Sequence, residues 1–164
     1  MEAGGRGDLV AAERAFRDAI VLAPDEPYPH YELGYTLALA GKFSEALVEL
    51  KRTSEIAPSF YLVDVEIYLC ELVLARALDR DTLIAFRKLL ARFERGDGTT
   101  LETEQLCRVV VASRPELALG HYLLAKCVIE RLPEEATREF ELCLTLAPDP
   151  TTASDARHHL GMVG

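Results

Sequence analysis

A pattern that recurs at a fixed spacing constrains the fold of this 164-residue chain more than any other feature. An alanine is followed four positions later by a bulky apolar residue, and eight positions after that by a proline. The pattern occurs three times, as Ala12, Phe16 and Pro24; Ala46, Leu50 and Pro58; and Ala136, Phe140 and Pro148. The first two copies lie 34 residues apart. Such a period indicates an all-α solenoid, in which each unit buries its apolar face only against its neighbours.

The spacing resembles that of the tetratricopeptide repeat (TPR), and residues 27–60 carry the most complete copy of its signature. The signature positions are occupied by His30, Leu33, Gly34, Leu37, Ala46, Leu50 and Pro58. Gly34 and Ala46 are small enough to let two paired helices approach. Gly41 supplies the turn between them, because glycine adopts a positive φ without a Cβ clash. The resemblance implies a right-handed α-solenoid of antiparallel helix pairs, a TPR-like superhelix with an irregular central repeat.

The same resemblance divides the chain into repeats within one domain, residues 1–164. The predicted parts are a partial repeat with only its second helix (1–26), a full repeat (27–60), irregular helical repeats (61–116), a full repeat (117–150) and the start of a truncated repeat (151–164). Gly7-Asp8 is interpreted as a turn inside a repeat, and Leu160-Gly161 as part of a further first helix. Neither end resembles the polar capping helix of a solenoid, so we interpret the chain as a fragment of a longer array.

Helix boundaries are predicted from apolar periodicity and from Pro, Gly and cap residues. The expected helices span roughly 8–23, 27–40, 43–57, 99–113, 117–131 and 133–147. The segment 60–95 forms either one long helix or two, and the polar stretch 79–82 favours two, with Asp81 as the N-cap of the second. Thr99 and Glu102 have the spacing of a capping box at the start of the next helix.

Composition excludes several classes of partner. The net charge is −9, whereas binding to nucleic acid or to an anionic membrane surface requires clustered Lys and Arg. No apolar run approaches the roughly 20 residues of a membrane-spanning helix. Residues 1–5 lack the basic and apolar regions of a signal peptide. The net charge and the absence of a long apolar run predict a protein that binds neither nucleic acid nor membrane, and reduced cysteines predict a cytoplasmic setting.

The residues that usually carry chemistry are dispersed. The four cysteines, Cys70, Cys107, Cys127 and Cys143, lie far apart among apolar helical neighbours, which is typical of reduced core cysteines and not of a metal site. His158-His159 has no acidic partner at metal-binding spacing, and no nucleophile–base set is visible. We therefore predict no catalytic residues, no metal and no cofactor.

The candidate binding surface follows from the family resemblance, which implies that first helices line a concave groove. Tyr28, Tyr31 and Tyr35 form one helical stripe, and the equivalent stripe in the last pair contains Leu119, Tyr122 and Lys126. Tyrosine suits a peptide groove because it combines a large apolar area with a hydrogen-bonding hydroxyl. The alternative is that these tyrosines pack between adjacent repeats. The stripes lack the Lys, Asn and Arg set with which some TPR domains bind a terminal carboxylate.

The resulting prediction is a non-catalytic scaffold that binds a peptide segment or a helix of another protein. One alternative is that the chain is the substrate-recruiting arm of a larger enzyme, such as a glycosyltransferase or methyltransferase. Another is a self-associating module, in which uncapped helical ends stack on each other.

Overall fold

The computed structural model describes residues 3–60, 63–146 and 148–162. All regular secondary structure in these ranges is helical, which confirms the predicted all-α class. The helices are α1 (Ala3–Leu22), α2 (Pro27–Leu39), α3 (Phe43–Ile56), α4 (Val63–Leu74), α5 (Arg80–Glu94), α6 (Leu101–Ser113), α7 (Ala118–Val128), α8 (Pro133–Thr145) and α9 (Pro150–His159). They fall into two compact units, Met1–Leu78 and Asp79–Gly164, which we describe separately. The division into a single domain of repeats stays a prediction.

Unit 1 consists of α1–α4, in which each helix packs against the next. Its core is formed by Leu33, Leu37, Ala46, Leu50 and Val63, all at most 1% exposed. The contact between α2 and α3 is close because position 34 is a glycine: a Cβ there would lie 2.7 Å from Leu50 Cγ. Gly41 adopts φ +80° between these helices, as the turn prediction requires.

Unit 2 consists of α5–α9. Helix α7 is buried nearly all round, and Phe86 of α5 and Phe140 of α8 are the largest side chains buried in this unit. Consecutive helices from α5 to α9 pack against each other. Two buried residues, Thr103 of α6 and Ala136 of α8, each lie twelve residues before a proline, which is the spacing found in α3. The sequence pattern missed the α6 copy, in which Thr103 replaces the alanine.

An ionic clasp joins α1 to the following helix pair in unit 1. Glu13 and Arg17 are one turn apart on α1, and Arg17 donates to Glu13 at 3.0 Å. Lys42, in the turn between α2 and α3, donates to Glu13 at 2.9 Å. Arg17 also donates to Glu45 in the first turn of α3, at 3.4 Å.

The same clasp occurs in unit 2. Arg108 of α6 donates to Glu104 at 2.8 Å and to Glu135 in the first turn of α8 at 2.7 Å. Arg131, in the turn between α7 and α8, also donates to Glu104. Glu104 and Arg108 lie 91 residues after Glu13 and Arg17. Helices α1–α3 and α6–α8 are therefore equivalent sets, and this internal equivalence is an observation that the 34-residue period alone does not reveal.

Three predicted local features differ from the structure. Gly7-Asp8 lies inside α1 and not in a turn. The segment 60–95 does break into two helices, α4 and α5, but the N-cap of α5 is Asp79 and not Asp81: Asp79 Oδ1 accepts from the Thr82 amide at 2.9 Å. Likewise Thr100, and not Thr99, caps α6, because its hydroxyl accepts from the Thr103 amide.

The last described helix also differs from its prediction. Leu160 is the C-cap of α9 and Gly161 adopts φ +68° beyond it, so Leu160-Gly161 terminates a helix and does not lie within one. One face of α9 is buried through small residues, Thr152, Ala153 and Ala156. Its outer face is polar, with Thr151, Ser154, Arg157 and His158 exposed. The interpretation of residues 151–164 as the start of a truncated repeat stays a prediction.

Candidate peptide-binding surface

The tyrosine stripe of unit 1 lies on α2, which begins at Pro27. Helical spacing places Tyr28, Tyr31 and Tyr35 on one side, while His30, Leu33 and Leu37 are buried on the other. Tyr28 is 58% exposed, and Tyr31 and Tyr35 are half-buried. We call these three residues the α2 stripe. Solvent exposure therefore falls along the stripe: the first aromatic side chain is exposed and the next two are partly covered.

The rings of the α2 stripe are held by other aromatic groups. Tyr31 and Tyr35 are stacked, with ring centroids 6.4 Å apart and planes inclined by 14°. Tyr31 also contacts Phe60, at a centroid distance of 5.0 Å. Because Tyr31 and Phe60 both pack against the core of unit 1, Tyr31 combines surface and packing roles. Phe60 was not predicted as a site residue, since it follows Pro58 in a loop and outside the helical pattern.

The exposed end of the α2 stripe has an acidic neighbour. Glu32, one turn after Tyr28, raises the pKa of the Tyr28 hydroxyl through its charge and a hydrogen bond. An aromatic ring beside a carboxylate is a surface suited to a partner that brings both apolar area and a positive charge.

Leu119 does not line an open surface in unit 2. It is 1% exposed and belongs to the core around α7, which corrects its prediction as a groove residue. The physical reason is the position of α7 in this unit: all but two of its residues are buried, so even the side of the helix that carries Leu119 is covered. The sequence did not reveal this because α7 is apolar on several faces.

Tyr122 and Lys126 come together in unit 2, but around Asp155 of α9. The Tyr122 hydroxyl donates to Asp155 Oδ2 at 2.7 Å, and Lys126 Nζ donates to the same oxygen at 3.2 Å. Burial and the bond to Asp155 raise the pKa of Tyr122. Burial acts to raise the pKa of Asp155, but Tyr122 and Lys126 outweigh it and the pKa is lowered. These two predicted groove residues therefore use their polar groups within the unit.

Two histidines occupy equivalent buried positions and make equivalent bonds. His30 lies between Glu49, at 2.7 Å from Nδ1, and the Pro24 carbonyl, at 3.0 Å from Nε2. His121 has the same partners in unit 2, Glu139 at 2.6 Å and the Pro115 carbonyl at 2.8 Å. We call each arrangement a histidine bridge. It ties a first helix to its second helix and to the preceding loop.

The cysteines are buried and free. Burial, together with the neighbouring Cys127 thiol, raises the pKa of Cys107 to about 12. Burial likewise raises the pKa of Cys143 to about 12. Thiolates are the reactive form of cysteine, so these side chains are unreactive core residues. The contact between Cys107 and Cys127 was not predicted, because 20 residues and a loop separate them.

Metal-binding chemistry finds no support in the described ranges, where no three His, Cys, Asp or Glu side chains are grouped to hold an ion. His159 has an acidic neighbour that the sequence analysis missed, with Nε2 3.3 Å from Asp155, and its ring stacks on Phe140 at 4.9 Å. None of the described helices is long and apolar enough to cross a membrane.

Comparison with known proteins yields structural neighbours only. Neither a family model nor a curated protein sequence matches this chain. One similar solved structure is "MamA RS-1 ArsTM double mutant", with 16% identity, a TM-score of 0.44, and coverage of 96% of this chain and 84% of that chain. Another is "MamA 41-end from Desulfovibrio magneticus RS-1", with the same identity and TM-score and coverage of 95% and 84%. The fold described above rests on the helices of this chain itself.

Proposed function

We propose that this protein is a non-catalytic interaction scaffold that binds a peptide segment or a helix of another protein on the α2 stripe. The observation that carries the proposal is the arrangement of Tyr28, Tyr31 and Tyr35 on one side of a helix whose other side is buried. A rigid helix offers these side chains at little cost in conformational entropy, which is what a binding surface requires.

The chemistry of the stripe defines the expected ligand. Tyrosine side chains contribute disproportionately to interface energies, because each buries a large apolar area and has a polar tip. Tyr28 is the most exposed of the three and stands beside Glu32. The preferred ligand is therefore an apolar segment with a Lys or Arg near the residue that contacts Tyr28.

Unit 2 has a secondary role in this proposal. The polar groups of Tyr122 and Lys126 are bonded to Asp155, and Leu119 is buried. A ligand on this face would have to replace those bonds, so unit 1 is the proposed centre of binding. The proposal includes a cytoplasmic setting, which suits buried thiols. It involves no cofactor, no nucleic acid and no membrane, in line with the net charge of −9.

The proposal is tested by quantitative pull-down from a lysate with the parent protein and a Tyr28→Ala variant. Tyr28 is chosen rather than Tyr31 because Tyr31 also packs against the core. Replacement of Tyr31 would therefore affect both folding and binding. Val48→Ala is the control, because Val48 is 66% exposed on α3 of the same unit. We expect at least about tenfold less capture of specific partners by Tyr28→Ala than by the parent or the control. Equal capture by all three proteins would refute binding at the α2 stripe.

A further inference from the structure

Helix α1 has an exposed face that carries three large apolar side chains. Val10, Val21 and Leu22 are 69%, 81% and 87% exposed, and Ala11, Arg14, Ala15 and Asp18 are exposed between them. Their spacing places all seven on one side of the helix, opposite the residues that pack against unit 1. We call this set the α1 outer face. Two of its three large apolar side chains are more exposed than any other large hydrophobic residue in the described part of the chain.

The equivalent face in unit 2 contacts another helix over part of its length only. Helix α6 corresponds to α1 at the offset of 91 residues, so Glu102 and Leu106 correspond to Ala11 and Ala15. On α6 this face packs against α5: Arg92 of α5 donates to Glu102 at 2.6 Å, and Leu106 is half-buried. Most of this face is exposed on both helices, including Leu101 and Val109 of α6; the difference is that Ala15 of α1 is exposed where Leu106 is half-buried.

The α1 outer face is also complementary to itself. The positions are symmetric along the helix about residue 16: residues 10, 11 and 14 lie as far before it as residues 22, 21 and 18 lie after it. If two α1 helices pair antiparallel about that point, Val10 of one copy lies opposite Leu22 of the other, and Ala11 lies opposite Val21. Arg14 then lies opposite Asp18, twice across the pair. Neither charge has an ion-pair or hydrogen-bond partner among the described residues, and Ala11 and Ala15 leave room for close approach.

We propose that two copies of this chain form a twofold-symmetric dimer through antiparallel packing of their α1 outer faces. Self-complementarity is what such an interface requires, since the same patch meets itself. The contact uses one helix per copy, so it is smaller than the roughly 1,200–2,000 Å² of stable complexes and the dimer is weak and reversible. The proposal is independent of ligand binding at the α2 stripe.

Sedimentation velocity measures this association directly. Between about 10 and 500 μM protein, the weight-average sedimentation coefficient is expected to rise from the monomer value toward the dimer value, because interfaces of this size associate weakly. Larger species are not expected, since a twofold contact closes. A monomer over the whole range, or a continuous series of larger assemblies, would overturn the proposal.

Charge reversal identifies the interface. Arg14→Glu and Asp18→Arg each place like charges opposite one another, so each is expected to weaken dimerisation at least about tenfold. The double variant Arg14→Glu/Asp18→Arg restores opposite charges across the twofold axis and is expected to dimerise like the parent. Arg138→Glu, on exposed α8 surface, is the matched control and is expected to have no effect. Single variants without effect, or a double variant that fails to recover, would contradict antiparallel pairing.

A second pair of variants tests the apolar part. Leu22→Glu is expected to abolish the dimer, whereas Val48→Glu, also exposed but on α3, leaves it intact. Circular dichroism confirms helix content in each variant. Loss of the dimer in Tyr28→Ala, with retention in Leu22→Glu, would place self-association on the α2 stripe and overturn the proposal while leaving the stripe as a binding surface.

Discussion

The histidine bridges show how single buried polar residues stabilise the pairing of helices. His30 and His121 are 6% and 3% exposed, and each joins a glutamate of the second helix to a proline carbonyl in the preceding loop. A buried polar group without a hydrogen bond costs about 1–3 kcal/mol. The bridges therefore explain why a histidine is compatible with a signature position that is otherwise apolar.

Replacement of His30 by phenylalanine tests this role. The ring volume is approximately kept, but Glu49 and the Pro24 carbonyl lose their partner. We expect the free energy of unfolding to fall by about 2 kcal/mol. Urea denaturation followed by circular dichroism measures it. His158→Phe, at an exposed position on α9, is the control and is expected to change stability by less than about 0.5 kcal/mol. Equal effects would show that the His30 bonds do not stabilise the fold.

Gly34 tests the close contact between α2 and α3. A side chain there would overlap Leu50 Cγ at 2.7 Å and approach the Ala46 carbonyl oxygen at 3.2 Å. We expect Gly34→Val to destabilise the protein by about 1–3 kcal/mol through overpacking. The control is Ala112→Val, at an exposed position of α6, where only a loss of about 0.5 kcal/mol in helix propensity is expected. A Gly34→Val variant as stable as the control would contradict the packing described here.

At the scale of the element, neighbouring residues compete to start a helix. The sequence contains Thr99 and Thr100 before α6, and both satisfy the preference for threonine at an N-cap. The structure selects Thr100, whose hydroxyl accepts from the Thr103 amide at 3.2 Å. Thr100→Ala is expected to cost about 1 kcal/mol of stability and Thr99→Ala less than about 0.5 kcal/mol. Denaturation midpoints compare the two. A larger loss in Thr99→Ala would favour the capping box predicted from sequence.

The ionic clasp of unit 2 is expected to make the stability of the protein depend on pH. Hydrogen bonds from Arg131 and Arg108 lower the pKa of Glu104 from the reference value of 4.5. A carboxyl whose folded pKa is depressed contributes stability that is fully present above its unfolded pKa and is lost as pH falls through the folded pKa. The contribution of Glu104 should therefore be complete at neutral pH and decline below about pH 4.5.

The variant Glu104→Gln removes this titration. We expect it to be less stable than the parent at pH 7 by about 1 kcal/mol, a modest value because Arg108 and Arg131 are 42% and 44% exposed. We also expect the difference to shrink as pH falls from 5 to 3. Chemical denaturation across this range measures it, with Glu134→Gln at an exposed position as the control. A difference that is independent of pH would contradict the charged clasp.

At the scale of the whole molecule, periodicity predicts local elements better than it predicts which surfaces stay open. Apolar periodicity with its Pro and Gly boundaries predicts α2, α3 and α8 to within a few residues. It fails at Leu119, because exposure of an apolar residue depends on how many neighbours surround its helix. It also fails at Tyr122 and Lys126, whose shared partner Asp155 lies on another helix about 30 residues away.

The equivalence of α1–α3 with α6–α8 escaped the sequence analysis for a related reason. The histidine and the glutamate it contacts are 19 residues apart in unit 1 and 18 in unit 2, so the offset changes from 91 residues at the histidines to 90 at the glutamates. Threonine and cysteine also replace Ala12 and Phe16 at Thr103 and Cys107. The two sets of helices, α1–α3 and α6–α8, therefore share the same contacts between helices, although the residue types at corresponding positions differ.

Site-specific photocrosslinking in a lysate tests the proposed binding of another polypeptide at the α2 stripe. A photoreactive phenylalanine analogue is placed at position 28 or, as the control, at position 48, both exposed in unit 1. After irradiation in a lysate, adducts are identified by mass spectrometry. We expect discrete adducts from position 28, fewer of them in a Tyr35→Ala variant, and only background from position 48. Adducts from position 48 with none from position 28 would contradict it.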